Sequence, residues 1–503
     1  MKPQKTTAFD DVNVTDLKRK SARGGIVTLG SQGITVAVQL VSTVILARIL
    51  TPEDYGILAM VTAITAFAAL FRDLGLSSAA IQKKGLTTAQ QSNLFWLNVL
   101  AGTILTAVIA ACAPLVAQFY DKPELGNVTL VLSFSFIITS LGTQHRAMLL
   151  RRMQFVRSSG ARISGALATL GVSVICGLKG YAYWSLVWGT LAGAAVTTFL
   201  LFVLSPFRPG LPNRGSGVRE LVGFGANVTA FNFVNYFSRN LDNILIGKFV
   251  GSDALGIYGR AYQLLMFPIV NLRAPIESVA FPAMSQLDPR SDEFRNYYCN
   301  LISLLALLTM PLMAWMFVSA PEIIALVLGE RWASVVPVFT ILSVAGFIQP
   351  VASMRGIILL SSGQSKKLLI SGLLTSLATS AAFLVGIMWG VVGVASAYAL
   401  VVWLEFYPIY LYAIRNTAIR PMDVLIAIIR PLLASICGLL ICRYCVSDFL
   451  GNNLMLSMFL KAGIIFFLAA IVFFADANRR NLLYAISSIF VSKISSLRVR
   501  TEL

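Results

Sequence analysis

Apolar runs of about eighteen or more residues recur from one end of this chain to the other, and each is long enough to cross the hydrocarbon core of a bilayer. Those from Gly24 to Ala47, Leu94 to Phe119 and Leu301 to Ser319 hold no charged side chain at all. Inside lipid, every backbone amide has to find its partner within its own segment, so such runs fold as helices. A membrane β-barrel would show short alternating segments instead, and these are not seen. Charged residues make up 12% of the chain and hydrophobic ones 57%, with a mean hydropathy of +0.78. A soluble domain carries roughly 25% charge, so too little polar surface is left for a water-facing globule or a soluble enzyme. The expected fold class is all-α integral membrane.

Fourteen spans are predicted, at roughly 25–47, 55–72, 93–119, 125–145, 158–178, 184–204, 222–247, 255–281, 298–319, 335–360, 368–388, 392–413, 424–446 and 455–475. The segments between them are short and leave no room for a soluble domain. Residues 1–23 contain no apolar stretch of the kind that opens a signal peptide. The tail from 476 reads as an amphipathic surface helix, with Leu482, Leu483, Ile486, Ile489 and Phe490 on one face.

Charge predicts the orientation. Of 40 Lys and Arg, 29 lie in or close beside the N-terminal segment, the loops after even-numbered spans and the tail. Six lie on the other side (Arg48, Lys122, Lys179, Lys248, Arg331, Arg443), and five fall within spans. The positive-inside bias therefore puts both termini in the cytoplasm. It also accounts for the net charge of +18 without nucleic acid as a partner. The six cysteines lie in or beside apolar runs, and Cys442 with Cys445 has neither a second pair nor a nearby His. They read as small packing residues, and no metal or cofactor is expected.

The chain also repeats itself. The segment from Arg48 to Ile57 echoes Lys248 to Ile257 at an offset of 200, without gaps. Upstream, Gln32, Thr35, Gln39, Ser42 and Thr43 align with Asn232, Asn235, Arg239, Asp242 and Asn243. Ala113-Pro114 and Ile163-Ser164-Gly165 recur as Ala320-Pro321 and Ile370-Ser371-Gly372, at an offset of 207. Six spans separate the copies, and an even number means two halves of parallel orientation. The expected organisation is a cytoplasmic segment 1–24, an N-terminal six-helix bundle 25–204, a linker 205–221, a second six-helix bundle 222–413, spans 13 and 14 in 424–475, and a cytoplasmic tail 476–503.

Ala47-Arg48-Ile49-Leu50-Thr51-Pro52-Glu53-Asp54-Tyr55-Gly56 at the end of span 1 resembles the Wzx-type polysaccharide exporters, as does Asp73-Leu74-Gly75-Leu76-Ser77 followed by Gln82 to Lys84. The resemblance extends to about residue 450. It points to the polysaccharide-transport branch of the multidrug/oligosaccharidyl-lipid/polysaccharide exporter superfamily, nearest the colanic-acid and exopolysaccharide exporters. It implies two six-helix bundles in a V around a central cavity, plus two further helices. It also implies a task, flipping an undecaprenyl-pyrophosphate-linked oligosaccharide from the cytoplasmic to the periplasmic leaflet. The family offers no catalytic motif to carry across by position.

That task requires a pyrophosphate to cross about 30 Å of hydrocarbon. Fixed cations in a wet groove would lower the barrier, and the forked donors of Arg suit phosphate. Asn232, Asn235, Arg239 and Asp242 fall at steps of three and four, on one face of span 7. Such a stripe faces protein or water. Either Arg239 and Asp242 neutralise each other, or Arg239 lines the cavity and Asp242 orients it; Gln32 and Gln39 would face them from span 1. Arg273 and Glu277 are one turn apart in span 8 and can pair. The repeat sets Arg273 opposite Asp73, next to Arg72. These groups read either as interfacial snorkelling or as a cationic mouth for pyrophosphate. Arg260 and Arg355 complete the candidate set, with Glu405 and Lys461 behind them. His145, the only histidine, is expected at the interface at the end of span 4. Pro268, Pro275 and Pro282 in and after span 8 predict a bend.

Two other functions compete with the flippase reading. A cation-coupled multidrug exporter of the same superfamily would favour buried carboxylates. A membrane glycan polymerase or ligase would need a large loop on the outer side, and every loop there is short. The expected partners are the lipid-linked glycan, membrane lipid, a driving force from H+, Na+ or the membrane potential, and a polymerase or export complex.

Overall fold

The structure, a computed structural model, describes residues 14–72, 80, 86–213, 240–446 and 453–474. Among them there is helix and no strand. The helices are α1 (Val14–Ile49), α2 (Pro52–Ala69), α3 (Thr88–Tyr120), α4 (Glu124–Arg151), α5 (Phe155–Leu178), α6 (Trp184–Leu204), α7 (Ser252–Met284), α8 (Asp292–Val318), α9 (Ala320–Val327), α10 (Val335–Ser353), α11 (Arg355–Ser361), α12 (Ser365–Gly386), α13 (Gly390–Ile414), α14 (Pro421–Ile441) and α15 (Leu454–Phe474). Each of the fourteen expected spans coincides with helix. Span 7 does so over 240–249, and the rest of it, with Asn232, Asn235 and Arg239, lies outside the described residues. So do the amphipathic tail and Asp73 to Ser77.

Local sequence sets several of the helix ends. At α2, Thr51 Oγ1 accepts from the Asp54 amide at 3.3 Å, while the Thr51 amide donates to Asp54 Oδ2 at 2.9 Å, and Pro52 opens the helix. This reciprocal cap satisfies two amides that the first turn cannot. Thr87 and Gln90 repeat the device at α3. Helix α7 runs continuously through Pro268, Pro275 and Pro282. Span 10 is instead divided at Met354 between α10 and α11, after Pro350 has removed an amide from the helical ladder.

The chain divides into two compact units, residues 1–259 with 327–329, and residues 260–326 with 330–503. In the first unit, α3 pairs with α4, α5 with α6, α1 with α5 and α4 with α6. Small residues bring α5 and α6 together: a Cβ on Gly193 would collide with Thr169 Oγ1, and one on Gly165 with Thr197 Oγ1. The linker does not leave this unit at once. Gly210 N donates to Ser92 Oγ at 2.9 Å, Trp96 Nε1 to the Gly210 carbonyl at 2.9 Å, and Asn213 N to Asn93 Oδ1 at 2.8 Å. Residues 207–213 are thus strapped to the start of α3.

His145 is packed inside this unit. Helix α4 runs on to Arg151, past the expected end of the span. The imidazole is fully buried among Phe95, Phe202 and Phe207.

In the second unit, α8 packs on α10 and α14, and α10 on α13. Spans 13 and 14 dock on α8 and α9. Ser303 Oγ donates to the Ala427 carbonyl at 3.1 Å, and Trp315 Nε1 to the Met458 carbonyl at 3.1 Å. The buried Lys461 ammonium pairs with buried Glu322, which also accepts from Ser457 Oγ at 3.0 Å.

Candidate functional site

The two copies of the sequence repeat meet within the first unit. Gly56 and Gly256 are counterparts at the offset of 200, and so are Pro52 and Ser252. A Cβ on Gly56 would collide with the Ser252 carbonyl, and a Cβ on Gly256 with the Pro52 carbonyl. Each glycine therefore seats the backbone that opens the other copy's helix, and only a missing side chain permits so close an approach.

Charged groups ring this contact. Glu53 Oε1 accepts from Lys122 Nζ at 2.9 Å and from Ser252 Oγ at 3.3 Å. Lys122 also lies 3.6 Å from Glu124. Lys248 Nζ donates to Asp121 Oδ2 at 2.6 Å and stands over the Phe119 ring. Asp121 is the left-handed residue that ends α3, at φ 55°, a conformation Asp tolerates better than most side chains. The hydrogen bond and charge of Lys122 hold the Glu53 carboxyl below its ordinary value. Partial burial works against the Lys122 ammonium, but Glu53 and Glu124 outweigh it and push Lys122 upward. Four of the six basic residues on the predicted outer side are Arg48, Lys122, Lys179 and Lys248. Two of these, Lys122 and Lys248, are used in the closure.

The described candidates read from the sequence have the following partners. Asp242 is buried and accepts from the Tyr258 hydroxyl at 3.0 Å and from the Asn243 amide at 2.8 Å. Arg72 Nη1 donates to Thr139 Oγ1 at 3.1 Å. Gln32 and Gln39 are exposed on α1. In the second unit, Arg273 Nε lies 3.2 Å from Glu277 Oε1, and Arg260 is half-buried near the start of α7. Arg355 Nη2 donates to Thr375 Oγ1 at 2.9 Å. Beside it, Tyr298 and Tyr410 share a hydrogen bond, and Tyr410 donates to the Val351 carbonyl at 3.1 Å. Among the described candidates, Arg273 and Glu277 form an ion pair with each other. Among the described residues no group of His, Cys, Asp or Glu is arranged to hold a metal.

Fourteen spans, two helical units and a repeat whose copies meet at Gly56 and Gly256 define a multi-pass membrane protein with an internal repeat. A family profile described as "Polysaccharide biosynthesis protein" matches residues 45–337, and the chain belongs to that family. Among its relatives, the teichuronic acid biosynthesis protein TuaB of Bacillus subtilis is 28% identical over 67% of this chain and 70% of its own length. The lipopolysaccharide biosynthesis protein WzxC of Escherichia coli is 27% identical over 69% of this chain and 71% of its own. In fold the chain is similar to the lipid II flippase MurJ in an inward closed conformation, with a TM-score of 0.74 and 14% identity over 92% of this chain and 100% of that one. It is also similar to an inward-facing multidrug-resistance MATE transporter, with a TM-score of 0.60 and 14% identity over 75% and 93% of the two chains.

Proposed function

We propose that this protein flips an undecaprenyl-pyrophosphate-linked oligosaccharide repeat unit from the cytoplasmic to the periplasmic leaflet of a bacterial inner membrane, with both termini in the cytoplasm. The glycan would feed exopolysaccharide, capsule or O-antigen-type assembly, and transport would proceed by alternating access. The observation that carries this reading is the reciprocal seat of Gly56 on Ser252 and of Gly256 on Pro52. In the proposed topology it lies at the periplasmic end. A transporter that alternates has to seal one end with contacts that can be undone. Exposed ion pairs of this kind contribute only about 0–1 kcal/mol each, so the charged ring can part without a large barrier. The glycan-named relatives favour a lipid-linked sugar over the cationic drugs of the MATE branch. Arg239 and Arg273 are the proposed pyrophosphate contacts, with Gln32, Gln39, Asn232 and Asn235 toward the sugar.

The test is reconstitution in liposomes with a fluorescent undecaprenyl-pyrophosphate sugar, reading leaflet accessibility with and without H+ or Na+ gradients. Protein-dependent exchange of this lipid between leaflets is the expected result. Exchange no faster than in empty vesicles, in protein that remains folded, would overturn the proposal.

A further inference from the structure

A cavity of about 180 Å3 opens in the first unit, where the C-terminal turns of α4 and α6 meet the N-terminal turns of α5 and the early part of α1. Arg146 and Arg162 line it together with the hydroxyls of Thr28, Ser158, Ser159 and Thr197, and among the described residues no carboxylate is present in its wall. Arg162 Nη2 reaches Ser31 Oγ only at 3.4 Å, and its Nε is buried without a hydrogen-bond partner. Arg146 is exposed and makes no hydrogen bond or ion pair among the described residues. Two like charges sharing a pocket without a counter-ion repel each other. The arrangement therefore stabilises the fold less than it would stabilise an anion placed between them. The α5 helix begins at Phe155 in the same wall, with no side chain capping its first amides, so its dipole adds to the positive potential.

We propose that this pocket binds the phosphate ester of a membrane lipid, through the forked guanidinium groups of Arg146 and Arg162 and the surrounding hydroxyls. Guanidinium groups match phosphate oxygens with paired, charge-assisted hydrogen bonds. The volume is below the roughly 300 Å3 at which pockets begin to take drug-sized ligands, so it suits a headgroup phosphate or pyrophosphate rather than a glycan. In the topology proposed above, this end of the unit faces the cytoplasm, where a lipid-borne phosphate first meets the protein and anionic lipid concentrates. The pocket uses none of the candidate cavity residues, and its occupancy does not depend on whether the chain flips lipid.

The test measures binding to the purified full-length protein in detergent, with radiolabelled farnesyl pyrophosphate as probe. The paired substitution Arg146→Gln with Arg162→Gln is expected to weaken binding about tenfold or more, the loss of at least one charge-assisted hydrogen bond. Arg157→Gln, an exposed arginine of α5 that contacts Gln154 and the Leu204 carbonyl, is expected to bind as the parent does. Ser159→Leu keeps both charges but fills the cavity; it is expected to weaken binding and serves if the paired variant fails to fold. Competition by phosphatidylglycerol at equal concentration would identify a phosphodiester headgroup as the occupant. Its failure to compete, with binding still lost in the paired variant, would identify a pyrophosphate. Parent-like binding by folded paired and Ser159→Leu variants, or an equal loss in Arg157→Gln, would overturn the proposal.

Discussion

Replacing Gly256 with Ala adds a methyl group where the Pro52 carbonyl already sits, and Gly56→Ala does the same against the Ser252 carbonyl. Both neighbours are backbone and cannot swing aside. Overpacking of this kind costs about 1–3 kcal/mol. Alanine also favours helix over glycine by up to about 1 kcal/mol, but that gain is the same whether the two copies touch or part, so it cancels from the equilibrium. A cost felt only in the closed arrangement shifts the population by roughly 5- to 150-fold. Ser252 is 3% exposed, so a cysteine placed there reports parting of the two copies directly. In a background with Cys112, Cys176, Cys299, Cys437, Cys442 and Cys445 replaced, Ser252→Cys should react slowly with a membrane-impermeant maleimide. Adding Gly256→Ala or Gly56→Ala should raise the rate about fivefold or more, at the low end of that population shift. Gly259→Ala, with nothing within 4 Å of the new methyl, should leave it unchanged. Equal rates in all four proteins would refute the reasoning.

Further outcomes follow from the ion pairs. Glu53 is held below its ordinary value of 4.5 and Lys122 above its ordinary 10.5. Their pairing should support closure between those limits, fade as the pH falls below 4.5 through the lowered Glu53 value, and fade again as it rises above 10.5 through the raised Lys122 value. Nitroxides at Phe249→Cys and Leu115→Cys, both exposed, would report the separation by spin-echo distances, and Glu53→Gln should flatten the acid limb. Lys461→Met strands a buried Glu322 and should cost about 3–5 kcal/mol of stability. Lys461→Met with Glu322→Gln should recover most of that loss in thermal unfolding, and a double variant as unstable as the single one would contradict a paired role. Arg239→Ala and Arg273→Ala should reach normal abundance on immunoblots yet fail to restore polysaccharide export in a strain lacking the gene, while Arg239→Lys should retain part of it. Full export by both alanine variants would remove the cationic-cavity mechanism.

The sequence made the helices legible because lipid leaves the backbone a single way to satisfy its amides. It also exposed the repeat, since Arg48 to Ile57 and Lys248 to Ile257 align by simple inspection. It did not reveal that the copies touch. Gly56 and Gly256 look like any helical glycine until the facing carbonyls are seen, although the shared offset of 200 was the available signal. Lys461 was visible as a costly charge in span 14, but Glu322 lies 139 residues away and no local pattern joins them. The burial of His145 among Phe95, Phe202 and Phe207 was not legible either, because those rings come from three separate segments that hydropathy does not bring together. Arg146 belongs to the basic loop after span 4, where charge alone marks it only as a residue of the cytoplasmic side. Its company with Arg162 depends on how α4 packs beside α5, which hydropathy does not encode.

The crossed seating of Gly56 on Ser252 and of Gly256 on Pro52 bears on how such a chain can vary over time. Each residue touches the counterpart of its own neighbour, so the four positions form a closed loop across the two copies. A larger side chain accepted in one copy strains the opening of the other. After a duplication, the halves could diverge freely elsewhere, while this quartet remained tied. In descendants of the same duplication, residue size at the positions matching 56 and 256 should therefore change together or remain minimal. An alignment in which one grows bulky while its counterpart stays glycine would mark a lineage that seals this end by other contacts.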